Sequence, residues 1–226
     1  MNLKNLNTLF INLNKSTDRL EFITSQLKKT KLNYKRIKAI DGMLIPDKEK
    51  YLSRKLFKTM SCVPENVYRR VGLYQSQMKC LKYAIDNSYN GVIIFEDDIY
   101  IHSDFDVEVD IPEDCDILYL NGGLWTEKGK ETFDKSTLPS NSVVKIDGFK
   151  LVGAYAYIIP SLEKIKKVYD ILISNKMTTY DIALINYIQK LGNCYLYTNK
   201  LVNHNDEFDS TIVKTWNSVY KIKSIL

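Results

Sequence analysis

The sequence has few of the residues that mark several common protein classes. Nine glycines and five prolines among 226 residues exclude a collagen-like chain, and 45% hydrophobic residues exclude global disorder. The four cysteines contain no CxxC pair, so neither a zinc finger nor a disulfide scaffold is expected, and free thiols in a reducing cytosol fit them best. They are Cys62, Cys80, Cys115 and Cys194.

Long apolar runs are also missing. Residues 1–7 have no apolar core of signal-peptide length, and no run approaches the roughly 18 apolar residues that span a bilayer. The net charge of +5 is too small to indicate nucleic-acid binding. We therefore expect a cytoplasmic protein without a nucleic-acid partner. The basic residues between Lys28 and Lys38 are a solvated face or, alternatively, a weak contact with an anionic membrane surface.

Hydrophobic periodicity predicts alternating strands and helices. A strand at 8–13, a helix that Asp18 caps together with Glu21, and a strand at 34–40 make a parallel βαβ unit. Later strands are predicted at 92–95, 116–120, 153–159 and 194–197, and later helices from 71, from 160 and after 178. This alternation predicts one α/β domain over residues 1–226, built around a mostly parallel sheet.

Three adjacent carboxylates directly follow the apolar strand at 92–95: Glu96, Asp97 and Asp98. Ligands bind at strand ends in α/β sheets, and clustered carboxylates need a compensating cation such as Mg²⁺ or Mn²⁺. The sequence has no GxGxxG and no Walker A loop, so a diphosphate held through a metal fits better than one held by glycines. Because alternate side chains of an extended chain share a face, Glu96 and Asp98 are expected to point the same way. A solvated acidic turn is the alternative.

Five motifs, in this order, resemble glycosyltransferase family 25, which includes lipopolysaccharide glycosyltransferases and collagen galactosyltransferases. They are Ile11-Asn12-Leu13 with Asp18-Arg19, Ala39-Ile40-Asp41-Gly42, Gly72-x-x-x-Ser76, Glu96-Asp97-Asp98, and Gly153-x-Tyr155-x-Tyr157. The resemblance implies a GT-A fold, a Rossmann-like sheet with helices on both faces. A nucleotide-binding half would span about 1–120, and an acceptor half with the C-terminal tail about 121–226. It also implies Mn²⁺ or Mg²⁺, a UDP-sugar donor, and inverting transfer of a hexose, galactose or glucose, to a hydroxyl of a glycan or protein-linked acceptor.

The resemblance also implies roles for individual residues. Donor binding falls to Asn12, Arg19, Asp41, Ser76, Gln77, Glu96 and Asp97, and metal binding to Asp98, Glu96 and His204. Gln77 stands where the family usually has His, so an amide that donates to phosphate or sugar replaces a group able to transfer protons. His204 stands where the family usually has Gln, and a surface-loop histidine is its alternative role.

Inverting transfer needs a base that deprotonates the acceptor hydroxyl. Asp181, in the segment that begins at Thr178, resembles the late aspartate of the family and is the candidate. The same residue lies in the first turn of a predicted helix capped by Thr178, where a carboxylate favours the helix dipole. The two roles are compatible, because a capped helix start would fix the carboxylate in place.

Two other functions use the same residues. One is a family relative that binds a nucleotide sugar or glycan without turnover, which the change to Gln77 allows. The other is a phosphotransfer or nucleotidyl-transfer enzyme, which would cleave between the α and β phosphates. The tail at 212–223 has an amphipathic pattern, which we interpret as a helix docked on the domain.

Overall fold

The computed structural model describes residues 1–52, 63–102, 105, 107–126, 134–175, 179–199, 201–205 and 207–208. The strands are β1 (Asn7–Asn12), β2 (Tyr34–Lys38), β3 (Val92–Phe95), β4 (Ile99–Ile101), β5 (Ile117–Tyr119), β6 (Gly123–Thr126), β7 (Val143–Lys145), β8 (Phe149–Val152), β9 (Ala156–Ile159), β10 (Cys194–Tyr197) and β11 (Val202–His204). The helices are α1 (Thr17–Thr30), α2 (Pro64–Asp86), α3 (Leu162–Ser174) and α4 (Tyr180–Ala183), and α4 continues as a π-helical turn (Leu184–Ile188) and a 3-10 turn (Gln189–Leu191). Further 3-10 turns lie at Leu3–Asn5, Gly42–Leu44, Lys48–Tyr51 and Lys135–Thr137.

The central sheet has seven strands in the order β2-β1-β3-β9-β5-β10-β7. Strands β2, β1, β3, β5 and β10 run in one direction, and β9 and β7 run against them. The sheet is therefore mixed but mostly parallel, which confirms the predicted α/β class. The predicted βαβ unit is confirmed by the parallel pairing of β1 with β2. Strands β4 with β11 and β6 with β8 form two small antiparallel sheets.

The strands alternate between two apolar clusters, one on each face of the sheet. Along β1, Leu9 and Ile11 join the cluster that also contains residues of α2 and α3. Phe10 joins the other cluster, with Ile23 and Leu27 of α1. Helices therefore cover both faces, as predicted. None of the helices in the described ranges is long and apolar enough to cross a bilayer.

The first helix begins earlier than the capping-box pattern predicts. The backbone N–H of Leu20 donates to the carbonyl of Ser16, so Ser16 is the N-cap and the helix starts at Thr17. Asp18 already lies in the first turn and is not the cap, so this detail of the prediction is wrong. Arg19 is buried in this helix, and the partly buried Leu20 packs against the apolar cluster of Ile23 and Leu27.

Three predictions, two at helix starts and one in the tail, have different outcomes. Ser161 caps α3 by accepting a hydrogen bond from the N–H of Lys164, as the pattern after Pro160 predicts. The N-cap of α4 is Thr179, and Thr178 lies outside the described residues. The predicted tail helix at 212–223 lies outside them as well.

Candidate active site

A cleft of about 460 Å³ opens at the edge of the sheet where β1, β2 and β3 end. Parallel strands bring their carboxyl ends to the same edge, which is where α/β proteins bind ligands. All but one of the site residues predicted from the sequence line this cleft. They are Asn12, Arg19, Asp41, Ser76, Glu96, Asp97, Asp98, Asp181 and His204. The exception is Gln77, which is fully buried behind the cleft.

Arg19 joins two of the three adjacent carboxylates. Its Nη1 lies 3.0 Å from Oδ1 of Asp97 and 2.9 Å from Oδ2 of Asp98, and the arginine is 5% exposed. Asn12, the last residue of β1, donates from Nδ2 to Oδ2 of Asp97 at 2.6 Å. Burial and the charge of Asp98 raise the pKa of Asp97 more than Asn12 and Arg19 lower it. The protein itself therefore neutralises part of the acidic cluster with a buried ion pair.

Asp98 has one oxygen engaged and one without a protein partner. Oδ2 faces Arg19 and lies 3.6 Å from Nε2 of His204, whereas Oδ1 is buried and accepts no hydrogen bond. Burial alone would raise the pKa of Asp98, but the hydrogen bonds and charges of His204 and Arg19 hold it below its usual value. The surroundings of Asp98 therefore favour its charged form, and one of its oxygens accepts no hydrogen bond.

These groups fit a hard divalent cation only in part. Within the described residues, no three His, Cys, Asp or Glu side chains form a complete metal site. Mg²⁺ and similar ions are commonly held by one or two carboxylates together with substrate phosphates, so a complete protein cage is not required. The unpartnered Oδ1 of Asp98 next to His204 is the donor set that this cleft offers to such an ion.

Glu96 points towards α2 and not towards Arg19. Its Oε1 lies 3.5 Å from Nε2 of Gln77, whose Oε1 accepts a 2.8 Å hydrogen bond from the hydroxyl of Tyr157. Asp97 and Asp98 share Arg19 as a partner, whereas Glu96 contacts Gln77, although Glu96 and Asp98 both line the cleft. Strand β3 ends at Phe95 and the chain bends after Glu96, which breaks the alternation. Burial and the charges of Asp98, Asp181 and Asp97 raise the pKa of Glu96 well above its usual value.

Asp181 enters the cleft from the first turn of α4. Its Oδ1 accepts a 3.0 Å hydrogen bond from the backbone N–H of Ala154, in the segment that leads into β9. Burial raises the pKa of Asp181 despite that hydrogen bond. The backbone N–H of Ala154 therefore holds this carboxylate, whereas the N-cap residue Thr179 makes no side-chain cap hydrogen bond.

The β2 end of the cleft carries a different set of charges. Asp41 accepts hydrogen bonds from Nζ of Lys15 at 2.5 Å and from the backbone N–H of Met43 at 3.0 Å. Arg69 also lines this end and acts electrostatically on Asp41. Burial raises the pKa of Asp41, but Lys15, Met43 and Arg69 together hold it below its usual value. Asp41 is thus held by two hydrogen bonds from the protein where it lines the cleft.

A close contact between two glycines positions α2 against the β2 end. A Cβ on Gly72 would lie 2.6 Å from the backbone nitrogen of Gly42 and 2.6 Å from the carbonyl of Ile40. A Cβ on Gly42 would overlap the carbonyl of Tyr68. Ser76, one turn beyond Gly72, accepts a 2.8 Å hydrogen bond from the N–H of Ile40. Ser76 therefore has a positioning contact that the sequence does not reveal.

Sequence reasoning missed Lys15 and Arg69 as cleft residues. A signal for Arg69 is present, because Arg69, Leu73 and Ser76 follow the i, i+4, i+7 spacing of one helix face and all three line the cleft. Lys15 lies in the turn between β1 and α1, where lysine is an ordinary surface residue and carries no signal of its own.

The fold and the cleft define an α/β protein with a polar ligand site at the carboxyl ends of its parallel strands. Residues 5–172 match the family described as "Glycosyltransferase family 25 (LPS biosynthesis protein)". The chain belongs to this family, which assigns it to the glycosyltransferases and implies a sugar donor and a glycan acceptor in general terms. Asp181 and His204 lie beyond the matched residues, and only the fold brings them to the cleft.

The solved structures that match this chain include two glycosyltransferases, both with low similarity to it. One is involved in the glycosylation of the major capsid of PBCV-1, with 9% identity, a TM-score of 0.44, and coverage of 84% of this chain and 79% of that chain. The other is the apo form of GlyE in Streptococcus pneumoniae TIGR4, with 12% identity, a TM-score of 0.48, and coverage of 98% and 60%. No curated protein matches the chain. The family assignment therefore rests on the family match and on the motifs.

Proposed function

We propose that this protein is a metal-dependent inverting hexosyltransferase, which moves galactose or glucose from a UDP-sugar to a hydroxyl of a glycan or protein-linked acceptor. The observation that carries the proposal is the convergence of nearly all the predicted site residues on one cleft at the sheet edge. The cleft volume of about 460 Å³ is in the range of sites that enclose small ligands.

Asp98 and His204 are the residues that would hold the divalent ion, since they offer a free carboxylate oxygen beside an imidazole. When bound, Mn²⁺ or Mg²⁺ supplies charge that stabilises the developing negative charge of the UDP leaving group. Arg19 holds Asp97 and Asp98 in place, because it donates to both. Asn12 fixes the second oxygen of Asp97 from the end of β1.

Asp181 acts as the base that accepts the proton of the acceptor hydroxyl. Its raised pKa makes it a stronger base than an exposed aspartate, and a catalytic base works best with a pKa near the working pH. The hydrogen bond from Ala154 fixes one oxygen of this carboxylate. Attack on the face of the sugar opposite to UDP then gives inversion at the anomeric carbon.

A panel of UDP-sugars, tested for hydrolysis with and without Mn²⁺, examines the proposal directly. We expect one hexose donor to release UDP in a Mn²⁺-dependent manner, with loss of release in Asp98→Ala and in Asp181→Asn. Mn²⁺-dependent UDP binding without turnover of any donor would identify a binding protein instead. Release of UMP and a sugar phosphate would identify cleavage between the α and β phosphates and contradict the proposal.

A further inference from the structure

The cleft presents an unequal charge to an anionic ligand. Five carboxylates line it: Asp41, Glu96, Asp97, Asp98 and Asp181. Within the described residues, its permanent cations are Lys15, Arg19 and Arg69. A ligand that carries phosphate charge is repelled by these carboxylates, and a side-chain cation that donates hydrogen bonds to it offsets that repulsion.

The guanidinium of Arg19 is already engaged by protein carboxylates. It donates to both Asp97 and Asp98 and is almost completely buried. The ring centroid of Phe208 lies 5.2 Å from its guanidinium carbon, which covers the group further. Arg19 therefore stabilises the acidic cluster and has little capacity left for a ligand.

Arg69 is differently placed. Its side chain lines the cleft and is partly exposed, and within the described residues no hydrogen bond or salt bridge engages the guanidinium. Its backbone is fixed, because a Cβ on Gly42 would lie 2.9 Å from the Cα of Arg69. A partly exposed guanidinium on a fixed backbone at a cleft has the fork of donors that pairs with phosphate oxygens.

Lys15 stands at the same end of the cleft, where Asp41 holds its ammonium at 2.5 Å. The side chain of Lys15 remains 63% exposed, so its other donor hydrogens stay accessible. Asp41 therefore keeps Lys15 at the β2 end, beside Arg69, and this end has one more cation than anion.

We propose that Arg69, together with Lys15, binds the phosphate groups of the nucleotide donor at the β2 end of the cleft. This inference rests on the proposed function for the identity of the ligand, since a nucleoside diphosphate is the anion that a UDP-sugar brings. Asp41 then positions Lys15 for this contact.

Calorimetric titration of UDP, uridine and inorganic pyrophosphate into wild type and Arg69→Ala, with and without Mn²⁺, tests the inference. We expect Arg69→Ala to weaken UDP and pyrophosphate roughly ten- to a hundredfold, as for a lost hydrogen bond to a charged group, and to leave uridine unchanged. Lys82→Ala is the matched control, because it removes one cation from an exposed part of the same helix, about 20 Å along it. If Arg69→Ala does not fold, Arg69→Lys keeps the charge, loses the fork of donors, and should weaken UDP several-fold.

Wild-type affinity of Arg69→Ala for both UDP and pyrophosphate would overturn the inference, and turnover of a UDP-sugar by wild type would still support the proposed function. If Arg69→Ala binds UDP normally but has a raised KM for the acceptor, Arg69 contacts an anionic acceptor and the donor assignment is overturned. If wild type turns over no donor but Arg69→Ala still weakens pyrophosphate binding, the proposed function is overturned and the anion site is retained.

Discussion

The two ends of the cleft are built in opposite ways. At the β3 end, Arg19, Asp97 and Asp98 are each less than 10% exposed, and the ion pairs between them are enclosed by the fold. At the β2 end, the pair between Lys15 and Asp41 is open to solvent, with side-chain exposures of 63% and 17%. Removal of one partner from a buried ion pair strongly lowers the free energy of unfolding, whereas removal of a partner from an exposed pair changes it little.

This difference separates what each end can contribute. The buried end holds its carboxylates in fixed positions, which suits a metal and a catalytic base that need a defined geometry. At the exposed end, Lys15 can leave Asp41 for a ligand with little loss of stability, which suits binding of a charged donor. Substitutions at each end of the cleft test this separation.

Asp181→Asn is expected to have the largest effect. The amide keeps an oxygen that can accept from the N–H of Ala154 but cannot take up a proton, so folding is retained and the base is lost. We expect kcat to fall roughly 10²- to 10⁴-fold, which is the usual contribution of general base catalysis. The measurement is UDP release under saturating donor and acceptor, with the urea unfolding curve as the control for structure. A variant with wild-type kcat would remove Asp181 from the mechanism.

Arg19→Met tests the buried end through stability. Methionine keeps most of the aliphatic stem but leaves Asp97 and Asp98 buried without their cation. Loss of one partner of a buried ion pair costs about 3–5 kcal/mol, and we expect a decrease of that size in the free energy of unfolding in urea. Lys29→Ala, on the exposed side of the same helix, is the control and should change little.

A second substitution distinguishes lost pairing from lost packing. If the unpaired charge causes the loss, adding Asp97→Asn to Arg19→Met should recover part of the stability, because one uncompensated carboxylate is removed. An additive or larger loss in the double variant would mean that packing of the arginine stem dominates.

The sequence predicted the parts of the fold that depend on local patterns. The unit β1-α1-β2, which lies within the first forty residues, follows from its apolar spacing and turn signals. The strand before Glu96 follows from its own short run of apolar residues. The small sheets β4 with β11 and β6 with β8 were not predicted. Their strands have only three or four residues, and β4 pairs with a strand about 100 residues away. Such pairings depend on tertiary contacts that leave no periodic pattern.

The site was predicted in composition but not in its contacts. The acidic residues were found because three adjacent carboxylates after a buried strand are unusual. That Arg19 neutralises two of them depends on how the start of α1 packs against the end of β3, which is a contact between residues far apart in the sequence. That Glu96 turns away towards Gln77 depends on a bend after β3. The first feature is a tertiary contact and the second is set by where a strand stops, and sequence patterns fix such boundaries only to within a few residues.

The pH dependence of kcat should show the raised pKa of Asp181. A base is active when deprotonated, so the rate falls as the pH decreases through its pKa, by about tenfold per pH unit below it. Because burial raises this pKa, the fall should begin at a higher pH than for an exposed aspartate. The residual activity of Asp181→Asn should lack this acidic limb. An unchanged limb in the variant would assign it to another group.

Lys15→Gln is expected to change stability least. The side chain of Lys15 is 63% exposed, and pairs of this kind contribute less than about 1 kcal/mol because water screens them and the side chain loses entropy on pairing. Its urea unfolding curve should almost overlay that of wild type, in contrast to Arg19→Met. A decrease in the free energy of unfolding comparable to that of Arg19→Met would show that the ion pair at the β2 end also stabilises the fold. The distinction between the two ends would then not hold.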